Sequence, residues 1–324
     1  MKLQSQIGLA LVGVLMAGAC AAQKLTPVRF ALDWRFEGPA APYVVALDKG
    51  YYKEADLDVE IVRGQGSVDA VKQVAAGSAQ IGFADAAAVI LSRANDQVPV
   101  KLVAMIYAKA PHAIFTLKGS GITKPKDLEG RTIADAASSS IPRMFNAYAK
   151  AAKIDASKVK WTVVSSDAIA GTLALGRADA VGYYTISEAL LKKAVAPKEL
   201  VYLTYAGAGM DFYSNGIIAN DKIIASKPEM VKRFVAATLR GLKDTISDPD
   251  AAARILNKYQ RQIDVDVGAA EIRSVASLVQ VPPEPLGTVS PARMQLTIDL
   301  VADAFDLKKP VAVADVYADG FVGK

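Results

Sequence analysis

The sequence predicts an α/β protein of two lobes, each an open sheet flanked by helices. Three observations predict it. Strand-like and helix-like patterns alternate from Val28 to about residue 205. A segment is echoed: "VAAGSAQIGFAD" and "LALGRADAVGYYT" each give helix, glycine, strand and a Gly-aromatic pair (Gly82-Phe83 and Gly182-Tyr183). After "SNGIIAN" the pattern turns helical, and such helices need an apolar surface to cover.

The first 22 residues stand apart. Lys2, the apolar run Ile7 to Ala19 and the small residues "AGACAAQ" predict a signal peptide cleaved after Ala22, hence export. The run is short for a membrane span. Cys20, the only cysteine, falls inside it. Two fates are open for it: the acylated first residue of a lipoprotein, with Ala17 where Leu is usual, or removal with the leader. In either case the mature body has no disulfide and no thiol chemistry.

"VRFALDW" alternates Val28, Phe30, Leu32 and Trp34 on one face of a strand. A helix over 40–48 ends at Gly50, and "LDVEIVR" is a strand. "GSVDAVKQVAAG" is a helix capped by Ser67 and stopped by Gly77. "AQIGFAD" (strand), "AAAVILSRAN" (helix) and "VKLVAMIY" (strand) complete the first winding. In the second, "HAIFTLK" and "RTIADA" are strands and "SIPRMFNAYAKAAK" a helix with Pro142 in its first turn. "KVKWTVVS", "AIAGTLALG", "ADAVGYYT", "SEALLKKAV" and "LVYLTYAG" continue strand, helix, strand, helix, strand. Tail helices are expected over 228–246, 249–259, 268–280 and 290–305, packed on the first lobe. Chain crossings near 107–112 and 206–218 would then divide lobe I (23–110 and 213–324) from lobe II (111–212).

The formal charge is +5, and loss of Lys2 with the leader leaves +4. Basic residues are scattered among acids, which argues against nucleic acid as a partner. A single histidine, His112, excludes a His-rich metal site, and no Cys-His or Cys-Cys spacing exists in the mature chain. Neither a metal nor another cofactor is expected. "GQGS" (64–67) lacks the third glycine of a dinucleotide fingerprint and the Gly-Lys-Ser/Thr of a phosphate loop. Ser67 and the free N–H groups behind it could still meet a ligand, or simply cap a helix. "ASSSIPR" (137–143) offers the same device in the second lobe: Ser138, Ser139 and Ser140, then Arg143. Tyr183 and Tyr184 in "GYYTISE" and Tyr213 in "MDFYSNG" stand at strand ends, as stacking surfaces or as core.

"LDWRFEGPAAPY" sets Asp33, Trp34, Arg35, Phe36 and Glu37 between a strand and a helix. Open α/β sheets bind ligands at the carboxyl ends of their strands, which favours a clamp of Trp34 and Phe36 with Arg35 and Glu37 solvating the rim.

"LDW", "APYVVALDKGYYKEADLDVEI", "GQGSVDAVKQVAAGSAQIGFADAA", "GITKPKDLEGRTIA" and "LALGRADAVGYYT", in this order, carry a resemblance. The chain resembles ABC-transporter substrate-binding proteins of the nitrate/sulfonate/taurine group, and is similar to the branch that binds the pyrimidine precursor of thiamine. The likeness runs from about Val28 to about Phe305. It implies a Venus-flytrap, periplasmic-binding-protein fold with the ligand in the interlobe cleft. It further implies a monomer that delivers a small-molecule solute to a membrane permease and ATPase. By position, the first-lobe contacts would be Trp34, Phe36, Gly66, Ser67, Ala84 and Asp85. Those of the second would be Ser138, Ser139, Ser140, Tyr183 and Tyr184, with Asp211 and Tyr213 by the return crossing. "RFEGPAAP" stands where the pyrimidine branch usually has an Asn or His, so the solute stays open among sulfonates, flat heterocycles and carboxylates. The pyrimidine synthases of this fold use an active-site histidine and a cysteine-rich motif; with a single histidine and no cysteine in the mature chain, that activity is the alternative not expected. A sensor partner for a membrane receptor is the other alternative.

Overall fold

The computed structural model describes residues 25–279 and 285–323. The leader, with Cys20, and residue 280 at the end of the third expected tail helix lie outside the described residues. In chain order come β1 (Thr26–Ala31), α1 (Ala41–Asp48), α2 (Tyr51–Glu54), β2 (Leu57–Val62) and α3 (Ser67–Ala75). Next are β3 (Ile81–Asp85), α4 (Ala86–Asp96), β4 (Val100–Met105), β5 (His112–Leu117), β6 (Thr132–Asp135) and α5 (Ser140–Ala151). The chain goes on through β7 (Lys160–Val163), α6 (Ile169–Ala174), β8 (Ala180–Tyr184), α7 (Glu188–Val195), β9 (Leu200–Thr204) and β10 (Asn215–Asn220). It ends with α8 (Asp221–Ser226), α9 (Pro228–Ser247), α10 (Pro249–Tyr259), α11 (Val265–Ala276), α12 (Pro291–Ala304) and α13 (Val313–Val316).

These strands form two five-stranded sheets, β2-β1-β3-β10-β4 and β7-β6-β8-β5-β9. Their pairing is the same. In the first, β1 runs parallel to β2 and β3 while β10 is antiparallel to β3 and β4. In the second, β6 runs parallel to β7 and β8 while β5 is antiparallel to β8 and β9. The echoed segments therefore occupy matching places, α3–β3 and α6–β8, at the centre of each sheet. Parallel strands covered on both faces are apolar throughout, and β3 and β8 bury Ile81, Phe83, Ala180 and Val181. The chain leaves the first sheet after Met105 and enters the second at His112. It leaves the second after Thr204 and re-enters the first at Asn215.

Helix α9 presents Val231, Phe234, Val235, Thr238 and Leu242 as one buried stripe of period three to four. The stripe packs on α1, and Phe234 lies 5.1 Å from the Phe30 ring and 5.2 Å from Tyr52. Gly241 permits that approach, since a Cβ there would sit 2.3 Å from the Pro42 carbonyl oxygen. Helices α10 and α11 join this layer, as the sequence led us to expect. Helix α12 departs from expectation by lying against α4 of the first lobe and α5 of the second. Its buried stripe of Met294, Thr297, Ile298 and Val301 belongs to a core that also holds Ile114, Phe145 and Tyr148.

The start of α3 also differs. Ser67 is not its cap; Gly66 holds that position with φ 137° and no side-chain cap. The Ser67 hydroxyl instead accepts the Asp85 N–H at 3.0 Å. Contact with the other lobe dictates the glycine, because a Cβ there would stand 2.2 Å from the Ser138 carbonyl oxygen. α11 begins three residues earlier than expected because Asp264 caps it, accepting the Val267 N–H at 3.0 Å.

Candidate functional site

A cavity of about 50 Å³ opens between the carboxyl ends of the two sheets. That is room for a few waters. The loop after β1 supplies Asp33, Trp34, Arg35 and Glu37; the first turns of α1 and α3 supply Tyr43, Gly66 and Ser67. From the second sheet come Asp135 at the end of β6 with Ser139 and Ser140 beyond it, then Tyr183 and Tyr184 at the end of β8 with Ser187 beyond them. Phe83 and Tyr107 complete an aromatic floor, their rings edge to face at 5.4 Å.

The two walls are joined directly. The Trp34 ring stands perpendicular to Tyr183 with centroids 6.0 Å apart, and its Nε1 donates to the Tyr183 hydroxyl at 3.3 Å. Tyr183 in turn donates to Glu37 Oε1 at 2.8 Å, and Ser187 Oγ to Glu37 Oε2 at 3.1 Å. Glu37 is thus only 5% exposed, which overturns its reading as a rim residue. A buried carboxylate needs such a complete set of donors. Arg35 Nε adds another at 2.5 Å. At the mouth, Asp167 of the second lobe accepts from Arg35 at 3.2 Å and from Arg63 at 2.7 Å.

Behind the cavity a hydrogen-bonded chain crosses the hinge. His112 Nε2 lies 3.0 Å from Ser140 Oγ, which lies 2.7 Å from the Tyr184 hydroxyl. Tyr184 donates to Asn215 Oδ1 at 3.0 Å, and Asn215 Nδ2 donates to Asp33 Oδ2 at 2.6 Å. Ser214 Oγ lies 2.8 Å from both Asn215 Oδ1 and Asp85 Oδ2. One hydroxyl has one proton, so a protonated Asp85 that donates to Ser214 satisfies both contacts. Burial favours that form by pushing Asp85 up to about 6, against the hydrogen bonds that lower it. Burial likewise holds His112 down to about 3, hence neutral.

Serine, histidine and aspartate thus meet, but not as a relay. Asp85 Oδ2 faces the same His112 Nε2 as Ser140 does, at 3.4 Å, while Nδ1 is buried with no partner among the described residues. A Ser-His-Asp relay needs the serine and the carboxylate on opposite ring nitrogens.

Of the residues singled out from sequence, the cavity collects Trp34, Gly66, Ser67, Ser139 and Ser140, along with Tyr183 and Tyr184. It does not collect Phe36, which packs half-buried against the first-lobe core, or Ala84, which lies within that lobe. Asp85 is buried in the hinge chain, and Ser138 meets Gly66 through its backbone. Arg143 is exposed because it falls on the outer face of α5. Asp211 pairs with Arg293 at 2.8 Å outside the cavity, and the buried Tyr213 hydroxyl accepts the Ser290 N–H at 3.0 Å. Sequence reasoning missed Asp135, Tyr43, Phe83 and Tyr107. Only Asp135 left a signal, an acid at the end of an otherwise apolar strand.

Two sheets of one topology, joined by two crossings and enclosing a cavity between their strand ends, define a two-lobed periplasmic-binding-protein architecture. The chain belongs to the family described as NMT1/THI5 like, which matches residues 39–252. It is 32% identical over 222 residues to the riboflavin-binding protein RibY of Chloroflexus aurantiacus, covering 65% of this chain and 60% of that protein's length. It is 24% identical over 302 residues to the formylaminopyrimidine-binding protein of Halalkalibacterium halodurans, covering 91% of each. In structure it is similar to the alkanesulfonate-binding protein SsuA from Xanthomonas axonopodis pv. citri bound to MOPS. The TM-score is 0.73 at 16% identity, covering 91% of this chain and 98% of that one. Among the described residues no group of three or more His, Cys, Asp or Glu could hold a metal ion, and no helix is long and apolar enough to cross a membrane.

Proposed function

We propose that the chain is the extracytoplasmic solute-binding component of an ABC importer. It captures a small organic solute between its lobes and delivers it to a membrane permease and ATPase. The observation that carries this is a cavity walled by both sheets and closed by cross-lobe contacts, Trp34 and Glu37 on Tyr183 and Arg35 and Arg63 on Asp167. A site assembled from two lobes couples occupancy to closure, since a ligand touching both favours the closed state. Residues 23–110 and 213–324 would move as one body and 111–212 as the other. The predicted leader places the mature chain in the periplasm, with Cys20 either lost or lipidated.

The aromatic walls suit a flat solute, held at the Trp34 and Tyr183 end and by Ser67, Ser139, Ser140 and Tyr184. Relatives named for riboflavin and formylaminopyrimidine support such a solute. The single-nitrogen contact of His112 supports a binder over an enzyme. Native mass spectrometry of the protein as purified, followed by calorimetry with the solute found, tests the reading. Scavenging asks for about micromolar affinity or better, roughly −8 kcal/mol. Trp34→Ala should weaken binding by roughly 10–100-fold, the ~1.5–3 kcal/mol of one buried ring. Unchanged binding in that variant, or turnover of the solute, would overturn the proposal.

A further inference from the structure

Helix α11 carries a buried acid that does not line the cavity. Glu271 is 1% exposed, and its Oε2 accepts the Gly38 N–H at 2.7 Å. Gly38 permits that approach, since a Cβ there would sit 2.4 Å from the Glu271 Cβ. The bond sets Glu271 beside Glu37, the residue before Gly38. Two acids therefore share one buried corner of the mouth.

Their donors are unequally divided. Glu37 receives Arg35 and Tyr183 on one oxygen and Ser187 on the other. Glu271 receives the Gly38 N–H on Oε2, and its Oε1 has no hydrogen-bond partner among the described residues. The Ser187 hydroxyl lies near enough to act on Glu271 but gives its proton to Glu37. Arg35, the cation that acts on both acids, is divided among Glu37, Asp167 and the Tyr183 hydroxyl. Two buried negative charges with one shared cation are unfavourable, so one acid keeps a proton. The donors decide which: Glu37 is the carboxylate and Glu271 the acid. Burial first and Glu37 second hold the Glu271 carboxyl well above the usual range, against the Gly38 N–H, Arg35 and Ser187.

The other elements packed on α11 bring little charge to this corner. Helices α9 and α10 meet it through the core that holds Leu242, Ala253, Leu256 and Ile272. Tyr107 is a further titratable group that Glu271 acts on. Arg273 of α11 pairs with Asp250 of α10 on the exposed side, and Asp264 before α11 pairs with Lys193 of α7 at the surface.

The corner is also a seam between the lobes. Glu37, Gly38 and Glu271 belong to the first lobe, and Tyr183 and Ser187 to the second. Across the seam α11 packs on α7 and on the turn Thr185–Ser187. Parting of the lobes would take Tyr183 and Ser187 away and let water reach both acids. We propose that Glu271 is a positioning residue, a proton-dependent catch for the mouth: it holds a proton while the lobes are closed and releases it as they part. With that proton in place, Glu37 is the one charge of the pair for Arg35, Tyr183 and Ser187 to grip. Without it, a second negative charge repels Glu37 and loosens the bonds across the seam. This inference rests on the reading that the lobes open and close, and not on which solute they hold.

The sign follows from the raised closed-state value. The contribution of Glu271 to closure is fully present below its ordinary 4.5 and is lost as pH rises through the closed-state value. Between the two, one proton bound on closing changes the closed-to-open ratio by about tenfold per pH unit. Burial lifts Asp33, Asp85 and Asp135 as well, so the difference between the wild type and Glu271→Gln isolates Glu271. Glutamine keeps an acceptor for the Gly38 N–H and cannot ionise.

The test is solution scattering and infrared spectroscopy of the full mature chain with nothing added, from about pH 5 to about pH 8. Gly66→Ala, whose Cβ would meet the Ser138 carbonyl, gives the open reference. The wild type is expected to be compact at the acid end and to approach the dimensions of Gly66→Ala at the alkaline end. Glu271→Gln should expand less steeply, by about tenfold per pH unit in the closed-to-open ratio. A carbonyl band of a protonated carboxyl should be present in the wild type, fade over the range in which the chain expands, and be missing from Glu271→Gln. Equal pH profiles in the two chains, or no carboxyl band lost with Glu271, would overturn the proposal and leave solute binding standing. A wild type already as extended as Gly66→Ala at the acid end would overturn the closed mouth itself, and this inference with it. Where Glu271→Gln fails to fold, isotope-labelled glutamate separates its carbonyl band from those of the aspartates in the wild type. A glutamic acid band that fades in step with expansion then supports the catch, and one that is absent or unchanged by expansion overturns it.

Discussion

The two lobes share a strand order but end their cleft-facing helices differently. In lobe II, α5 is complete by itself: Ser139 caps it, accepting the Ile141 N–H at 3.3 Å. In lobe I, α3 starts from Gly66 with no side-chain cap, and its Val68 N–H approaches the Ser138 carbonyl of the other lobe at 3.4 Å. One lobe is ready before closure; the other finishes a helix by closing. The closed state therefore contains an interaction that an open state must replace with water, even before a solute arrives.

Gly66→Ala should have the largest consequence for the helix that meets the other lobe. The new Cβ would overlap the Ser138 carbonyl, and φ 137° is unfavourable for any side chain. We expect at least a 100-fold loss of solute affinity by calorimetry, with solution scattering showing a chain that stays open. Ser139→Ala removes the cap of α5 and a donor to Asp135 but puts nothing in the way of closure, and should lower stability by about 1 kcal/mol while the chain still closes. Equal behaviour of the two variants would erase the asymmetry.

The next effect concerns the acids. Asp33, Asp85 and Asp135 are lifted by burial to about 7, 6 and 8 from 3.8. Their folded forms keep protons that the unfolded chain has released. The resulting stability is fully present below about pH 4 and disappears as pH rises through 6 to 8. His112 works in the opposite direction, but only below its ordinary 6.5. Between pH 6.5 and 8.5 the melting temperature of the empty protein should therefore fall, by roughly 2–4 °C per kcal/mol of linkage. Asp135→Asn should flatten the fall more than Asp85→Asn does. A profile that rises with pH over this window would refute the assignment.

The smallest effect is at the mouth. Asp167 is 56% exposed in its side chain, and exposed ion pairs contribute about 0–1 kcal/mol each. Asp167→Asn should weaken solute binding only about 2–5-fold and reduce its salt dependence, whereas Arg143→Gln on the outer face of α5 should change neither. A tenfold loss at Arg143 would mean that the cleft extends further than the cavity described.

Much of the fold was legible because alternation and caps are local. Val28 and Phe30, and Pro228, announce their elements within a few residues. The errors arose where a distant residue decides. Ser67 reads as a cap until Ser138 demands a glycine before it. Glu37 reads as solvated until Tyr183 and Ser187, some 150 positions later, supply its donors. Tyr43, Phe83 and Tyr107 carry no mark of their place, because nothing local separates a ring facing a cavity from one facing a neighbour. Trp34 just beyond β1 and the second-lobe tyrosines at the end of β8 were legible because these strand ends face one another.

Helix α12 rests on α4 of one lobe and α5 of the other, and Lys150 on α5 reaches Asp303 on α12 at 2.7 Å. Two crossings alone would leave the lobes as a door on two pins, free to swing. A bar seated on both door and frame removes that swing unless the bar slips or lets go. Any parting of the lobes would therefore require α12 to travel over its two seats, besides a turn of the backbone at Met105–His112 and Thr204–Asn215.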